Sequence, residues 1–158
     1  MLKAGDQAPT FSLPIDGSGT LSSDDLAGKP YVVYFYPKDN TPGCTTESCD
    51  FRDNYARAIG HGAEIIGVSK DSVGSHDRFK SKYDLPFPLI SDSEGTLHEA
   101  YGAWGLKKNY GREYMGTIRS TFLVGPDGVV IEAWPKVRVK GHVDAVLEAL
   151  DTWKGSAA

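Results

Sequence analysis

The sequence predicts an α/β domain with a mixed central sheet flanked by helices and a β-hairpin near its N-terminal end. Three observations carry this. Two dense apolar runs, Tyr31 to Tyr36 and Ala63 to Val68, are separated by a stretch of helical periodicity. Arg119 to Val124 and Val129 to Trp134 flank Gly125-Pro126-Asp127-Gly128, a strong hairpin signal. The chain then closes on a helix whose apolar positions Val143, Val146, Leu147, Leu150 and Trp153 share one face. Strands that alternate with helices and close on a hairpin imply a mixed sheet, for which several strand orders fit.

The elements follow in order. Phe11-Ser12-Leu13 and Gly17 to Leu21 read as a short hairpin turning at Gly17-Ser18-Gly19. Tyr31 to Tyr36 shows no alternation of apolar and polar residues, the pattern of a central strand buried on both faces, and Pro37 ends it. Thr41 is placed as an N-cap with Pro42 at the first helical position. Phe51, Tyr55, Ala58 and Ile59 make that helix's apolar stripe, and Gly60 stops it. A second strand over Ala63 to Val68 leads to a polar helix from Gly74 to Tyr83. Phe87 to Ile90 is a third, peripheral strand, marked so by its neighbouring prolines. Thr96 to Tyr101 supports one or two helical turns. Gly102 to Gly116 has no clear period and reads as a long loop. Residues 154–158 read as a flexible tail. With no repeat or linker, residues 1–158 are expected to form a single domain.

Composition excludes several classes. The net charge of −4 and the scattered basic residues argue against nucleic-acid binding; Lys107-Lys108, the nearest thing to a patch, reads as a solvated loop. No apolar run approaches the roughly 18 residues of a membrane span. Met1 to Asp6 lacks the pattern of a secretory signal, so the expected compartment is the cytoplasm. There cysteine pairs tend to be catalytic, redox-sensing or metal-binding. The chain holds two cysteines, Cys44 and Cys49. His61, His76, His98 and His142 show no metal-ligand spacing with them, so no metal is expected.

The site is expected where the first long strand runs into its helix, at the carboxyl edge of the sheet. Cys44 is the third residue of that helix, where unpaired backbone N–H groups and the helix dipole favour negative charge. A thiolate so placed is a nucleophile. At about 100° per residue, Cys44 falls within roughly 20° of Phe51, in the buried stripe, and Cys49 nearly opposite. Residues five apart in a helix lie roughly 8.6 Å apart between Cα atoms. A disulfide rarely spans more than about 7 Å, so bonding Cys44 to Cys49 requires the first turns of the helix to unwind.

Pro37-Lys38-Asp39-Asn40-Thr41-Pro42-Gly43-Cys44 resembles the active-site signature of the peroxiredoxins. The continuation to Cys49 is similar to the bacterioferritin-comigratory-protein (PrxQ) branch, as are Gly67 to Ser72, Arg119 to Val124 and Gly141-His142. The resemblance runs from about Gly5 to Trp153. It implies a thioredoxin-like fold and a thiol-dependent peroxidase acting on hydrogen peroxide and organic hydroperoxides.

By that resemblance Cys44 is the peroxidatic cysteine, oxidised to a sulfenic acid, and Cys49 resolves it as an intramolecular disulfide. Thr41 offers its hydroxyl to the thiolate and the bound peroxide, and Arg119 stabilises the thiolate and the leaving oxygen. The amides of Gly43 and Cys44 help hold the peroxide, Pro37 shields the pocket, and Glu47 orients Arg119. The resemblance further implies recycling by a thioredoxin-like reductant, no cofactor and a monomer. Two other readings stand beside it. A thiol–disulfide oxidoreductase on the same fold would normally carry Cys-x-x-Cys and would leave Thr41 and Arg119 unexplained. A redox-regulated holdase would use the same unwinding.

Overall fold

The apolar run Tyr31–Phe35 forms β3, and all of it is buried because the sheet is covered on both faces. Successive side chains on a strand point to opposite faces. Val32 and Tyr34 therefore join one core with Phe51, Ile65, Phe79, Val146 and Leu150. Tyr31, Val33 and Phe35 join another with Ile66, Leu97, Tyr101 and Phe122. A strand packed on both faces has no polar side to show. This computed structural model describes residues 1–156, and only the backbone of 154–156; the expected tail over 154–158 lies at and beyond this limit.

The remaining strands are β1 (Ser12–Pro14), β2 (Thr20–Ser22), β4 (Glu64–Ser69), β5 (Leu89–Ser91), β6 (Trp104–Asn109), β7 (Arg112–Thr117), β8 (Ser120–Val124) and β9 (Val130–Trp134). Five of them form the central sheet in the order β5-β4-β3-β8-β9. β3 pairs in parallel with β4 and antiparallel with β8, so the sheet is mixed with β3 at its centre. β5 lies at one edge, with Pro88 directly before it. β1 and β2 make the expected hairpin, crossed by a short 3-10 turn at Asp16–Ser18. Gly67 of β4 is required by packing: a Cβ there would sit 2.9 Å from the Tyr34 ring and 2.8 Å from Leu89.

The helices are α1 (Pro42–Asp53), α2 (Tyr55–Gly60), α3 (Val73–Tyr83), α4 (Thr96–Tyr101) and α5 (His142–Ser156). Two sequence expectations are corrected. The single helix expected to run to Gly60 is broken at Asn54, whose side-chain amide donates to the Asp50 carbonyl at 2.9 Å and closes α1. The break turns Ala58 inward and leaves Ile59 exposed. The expected loop over Gly102 to Gly116 is instead the β6–β7 hairpin, in register from Trp104–Thr117 to Asn109–Arg112. Tyr110 and Gly111 both have positive φ, 51° and 77°, the requirement of a tight two-residue hairpin turn. Much of the hairpin is exposed, so it shows no in–out alternation.

Candidate active site

The site forms where β3 ends and α1 begins. Thr41 is the N-cap by backbone geometry, with Pro42 following. Its side chain does not cap the helix, however; the hydroxyl donates to the Lys38 carbonyl at 2.8 Å. Thr45 N–H makes the first helical bond, to the Thr41 carbonyl at 2.8 Å. Helix geometry therefore leaves the amides of Gly43 and Cys44 without an acceptor inside α1. Cys44 is 1% exposed, in the core that contains Phe51.

Arg119, the residue before β8, reaches this end of α1 from the sheet. Its Nη2 donates to Cys44 Sγ at 3.2 Å, and its Nη1 to Glu47 Oε1 at 2.7 Å. A guanidinium has a planar fork of donors and can serve both at once, which an ammonium cannot. Burial opposes the charge on Arg119, yet Glu47 and Cys44 together raise its pKa. Gly43 leaves room for this approach: a Cβ there would lie 3.4 Å from Arg119 Nη2.

Glu47 is fully buried, and its Oε2 has no hydrogen-bond partner. Burial dominates its ionisation and outweighs the pull of Arg119, so its pKa is raised from 4.5 to about 7. Arg119 remains the cation either way. A second cation stands nearby: Lys107 of β6 donates to the Thr117 carbonyl at 2.9 Å. Burial, followed by the charge of Arg119, lowers its pKa. Lys107 was legible only as a solvated loop residue; its place depends on the hairpin that the sequence did not reveal. A groove of about 780 Å³ opens beside Arg119, lined by Leu106, Lys107, Ile118, Lys136 and Val137 among others.

Cys49, by contrast, is only partly buried and lies elsewhere on α1; both cysteines are free thiols. Burial raises its pKa against the opposing influence of Arg52, with Asp53 and Asp50 adding to the rise. The structure thus brings Cys44, Gly43, Glu47 and Arg119 together and keeps Cys49 apart. Among the described residues, no group of three or more His, Cys, Asp or Glu side chains is arranged to hold a metal ion. No helix of the described residues is long and apolar enough to cross a membrane.

A profile of the AhpC/TSA family matches residues 4–133. The chain belongs to that family. It is a peroxiredoxin of the bacterioferritin-comigratory-protein (PrxQ) branch, a thiol peroxidase with a thioredoxin-like fold. Peroxiredoxin Bcp of Bacillus subtilis is 50% identical over 94% of this chain and 95% of its own. A putative peroxiredoxin bcp of Coxiella burnetii is 48% identical over 94% of this chain and 99% of its own. The structure of peroxiredoxin Q from Xanthomonas campestris is similar at a TM-score of 0.86 and 46% identity, over 90% of each chain.

Proposed function

We propose that this peroxiredoxin reduces hydroperoxides through Cys44 and resolves the product through Cys49. The Cys44 thiolate attacks one oxygen of the O–O bond, which breaks. The product is a Cys44 sulfenic acid, and the departing oxygen takes up a proton to leave as water or an alcohol. The Cys49 sulfur then displaces the sulfenic hydroxyl, forming the Cys44–Cys49 disulfide and releasing water. A thioredoxin-like dithiol protein supplies two electrons to restore both thiols.

The observation that carries this is Arg119 Nη2 at 3.2 Å from Cys44 Sγ, clamped from behind by Glu47. The same guanidinium favours the thiolate and the charge that develops on the leaving oxygen. The free amides of Gly43 and Cys44 at the helix start favour the negative charge of the thiolate and the reacting peroxide. Thr41 takes a role set by its bond to Lys38: with its proton committed there, its lone pairs accept a hydrogen bond from the peroxide O–H. Pro37, two residues beyond β3, limits water at the pocket. A thiol–disulfide oxidoreductase would have no use for the Arg119 contact.

The groove beside Arg119 mixes apolar and basic lining and supports organic hydroperoxides as substrates besides hydrogen peroxide. A Xanthomonas campestris bacterioferritin comigratory protein, 46% identical with a TM-score of 0.86, has been studied for alkyl peroxide reduction. The reading retains a single domain over 1–158, a monomer and a cytoplasmic setting. Single-turnover mixing with hydrogen peroxide tests it: Cys44→Ser abolishes rapid thiol loss, while Cys49→Ser turns over once and stalls as the sulfenic acid. Full peroxide consumption by Cys44→Ser would overturn it.

A further inference from the structure

A buried polar cluster joins the active-site loop to α3 and β5, and the peroxidase chemistry makes no use of it. The side chains of His76 and Asp39 are 0% and 3% exposed. His76 Nδ1 lies 2.7 Å from Asp39 Oδ2, and Nε2 lies 2.8 Å from the Ile90 carbonyl. The Tyr36 hydroxyl donates to Asp39 Oδ1 at 2.5 Å, and Ser75 donates to Oδ2 at 2.8 Å. The Asp39 amide donates to the Asp71 carboxylate at 2.8 Å, which Ser69 fixes in turn at 2.7 Å.

Both nitrogens of the His76 ring face oxygens that can only accept when Asp39 is ionised. The ring therefore carries both protons, and the pair is an imidazolium beside a carboxylate. Burial works against that charge, but Asp39 and the Ile90 carbonyl outweigh it and raise the ring's pKa. A buried ion pair contributes little to stability compared with apolar packing, whereas breaking one partner away is costly. Such a pair serves better as a pin than as a source of overall stability.

Its place in the chain says what it pins. Asp39 lies two residues before the N-cap Thr41 and five before Cys44. At the far end, beyond Cys49, α1 is held by Phe51 in the core and by Arg52 donating to the Tyr83 carbonyl at 2.8 Å. The turns that must unwind to join Cys44 to Cys49 lie between these two fixed ends.

We infer that His76 is a positioning residue, whose pairing with Asp39 pins the upstream end of α1 so that the helix unwinds and re-forms from one fixed point with Cys44 returning to Arg119. This rests on the proposed roles of Cys44 and Cys49. With the pin loosened, Cys44 spends less time on Arg119 and reaches Cys49 more readily. The peroxide step slows while the disulfide step quickens. A residue that served overall stability alone would not move the two steps in opposite directions.

The experiment compares wild type with His76→Gln, Asp39→Asn and the double variant. The peroxide step is followed by stopped flow in a Cys49→Ser background, and disulfide formation in the two-cysteine protein. Each single variant is expected to raise the ratio of resolution to peroxide rates by roughly three- to tenfold. The double variant, which leaves no unpaired buried charge, should lie closer to wild type than either. A ratio within about twofold of wild type in folded single variants, or a double variant displaced further than both, would overturn the inference. If a single variant does not fold, Tyr36→Phe replaces it: loss of one donor to Asp39 should move the ratio the same way, and an unmoved ratio counts against the pin. Mass spectrometry of oxidised wild type separates the two levels. No Cys44–Cys49 disulfide there removes the underlying roles, whereas a normal disulfide with unmoved ratios removes only the role of His76.

Discussion

Glu47→Gln isolates the cost of burying a carboxylate behind the catalytic arginine. The variant amide still offers an oxygen to Arg119 Nη1, so the geometry at Cys44 is kept while the titrating group is removed. In the native protein Glu47 is raised from 4.5 to about 7. A raised carboxyl holds its proton longer in the folded state than in the unfolded one. Its stabilising contribution is therefore complete below about pH 4.5 and is lost as pH rises through about 7. At about 1.4 kcal/mol per unit, the loss amounts to about 3 kcal/mol. His142 acts in the opposite sense. Burial and then Arg119 lower its pKa from 6.5 to about 4, so its contribution is complete above about pH 6.5 and is lost as pH falls through about 4. The two slopes oppose each other over the same range, so wild type alone does not isolate Glu47. The difference between wild type and Glu47→Gln does not cancel. Urea unfolding of the reduced proteins from pH 4.5 to 8 should show that difference falling by about 3 kcal/mol. A difference flat to within about 0.5 kcal/mol would refute the dominance of burial over Arg119 at this carboxyl.

Three further outcomes follow from the same geometry. Arg119→Lys keeps a charge but loses the fork that serves Sγ and Oε1 together, and should lower the second-order rate with hydrogen peroxide by about 100-fold in competition stopped flow. His142 is buried, bonded to Thr121 Oγ1 at 2.8 Å and held neutral, so its ring proton resonances should stay flat between about pH 5.5 and 8 by NMR. Oxidation to the Cys44–Cys49 disulfide should reduce the far-UV helical signal by roughly two turns of helix, because an intact α1 holds the two Cα atoms too far apart to bond.

What the sequence revealed, and what it did not, divides along physical lines. β3 was legible because burial on both faces leaves a run without polar interruptions, and the β8–β9 hairpin because its turn residues declare it. β6–β7 was not, because a largely exposed hairpin has no core to impose alternation; only Tyr110-Gly111 carried a turn signal. The break at Asn54 depends on one side-chain bond to Asp50, which competes locally with a helix that periodicity would otherwise continue. At the site, the phase of α1 placed Cys44 inward and Cys49 elsewhere from spacing alone. The pairing of Cys44 with Arg119, distant in sequence, came from family resemblance, since no local pattern encodes it. The unpartnered oxygen of Glu47, the bound ammonium of Lys107 and the His76–Asp39 pair belong to tertiary structure.

These features share one requirement on α1. The helix start concentrates free amides and Arg119 on Cys44, and the same turns must open for Cys49 to reach it. A first turn secured by packing alone would meet the first need and obstruct the second. Here Cys44, Glu47 and Ser48 are buried, but the opening segment is also held through one guanidinium, whose two bonds, to Sγ and to Oε1, are given up together when the turns unwind. Glu47 then leaves a site where its charge is disfavoured, which offsets part of the cost of losing Arg119. Phe51 keeps the rest of α1 in the core. The burial of Glu47 is thus a cost in the folded site that lowers the barrier to opening it.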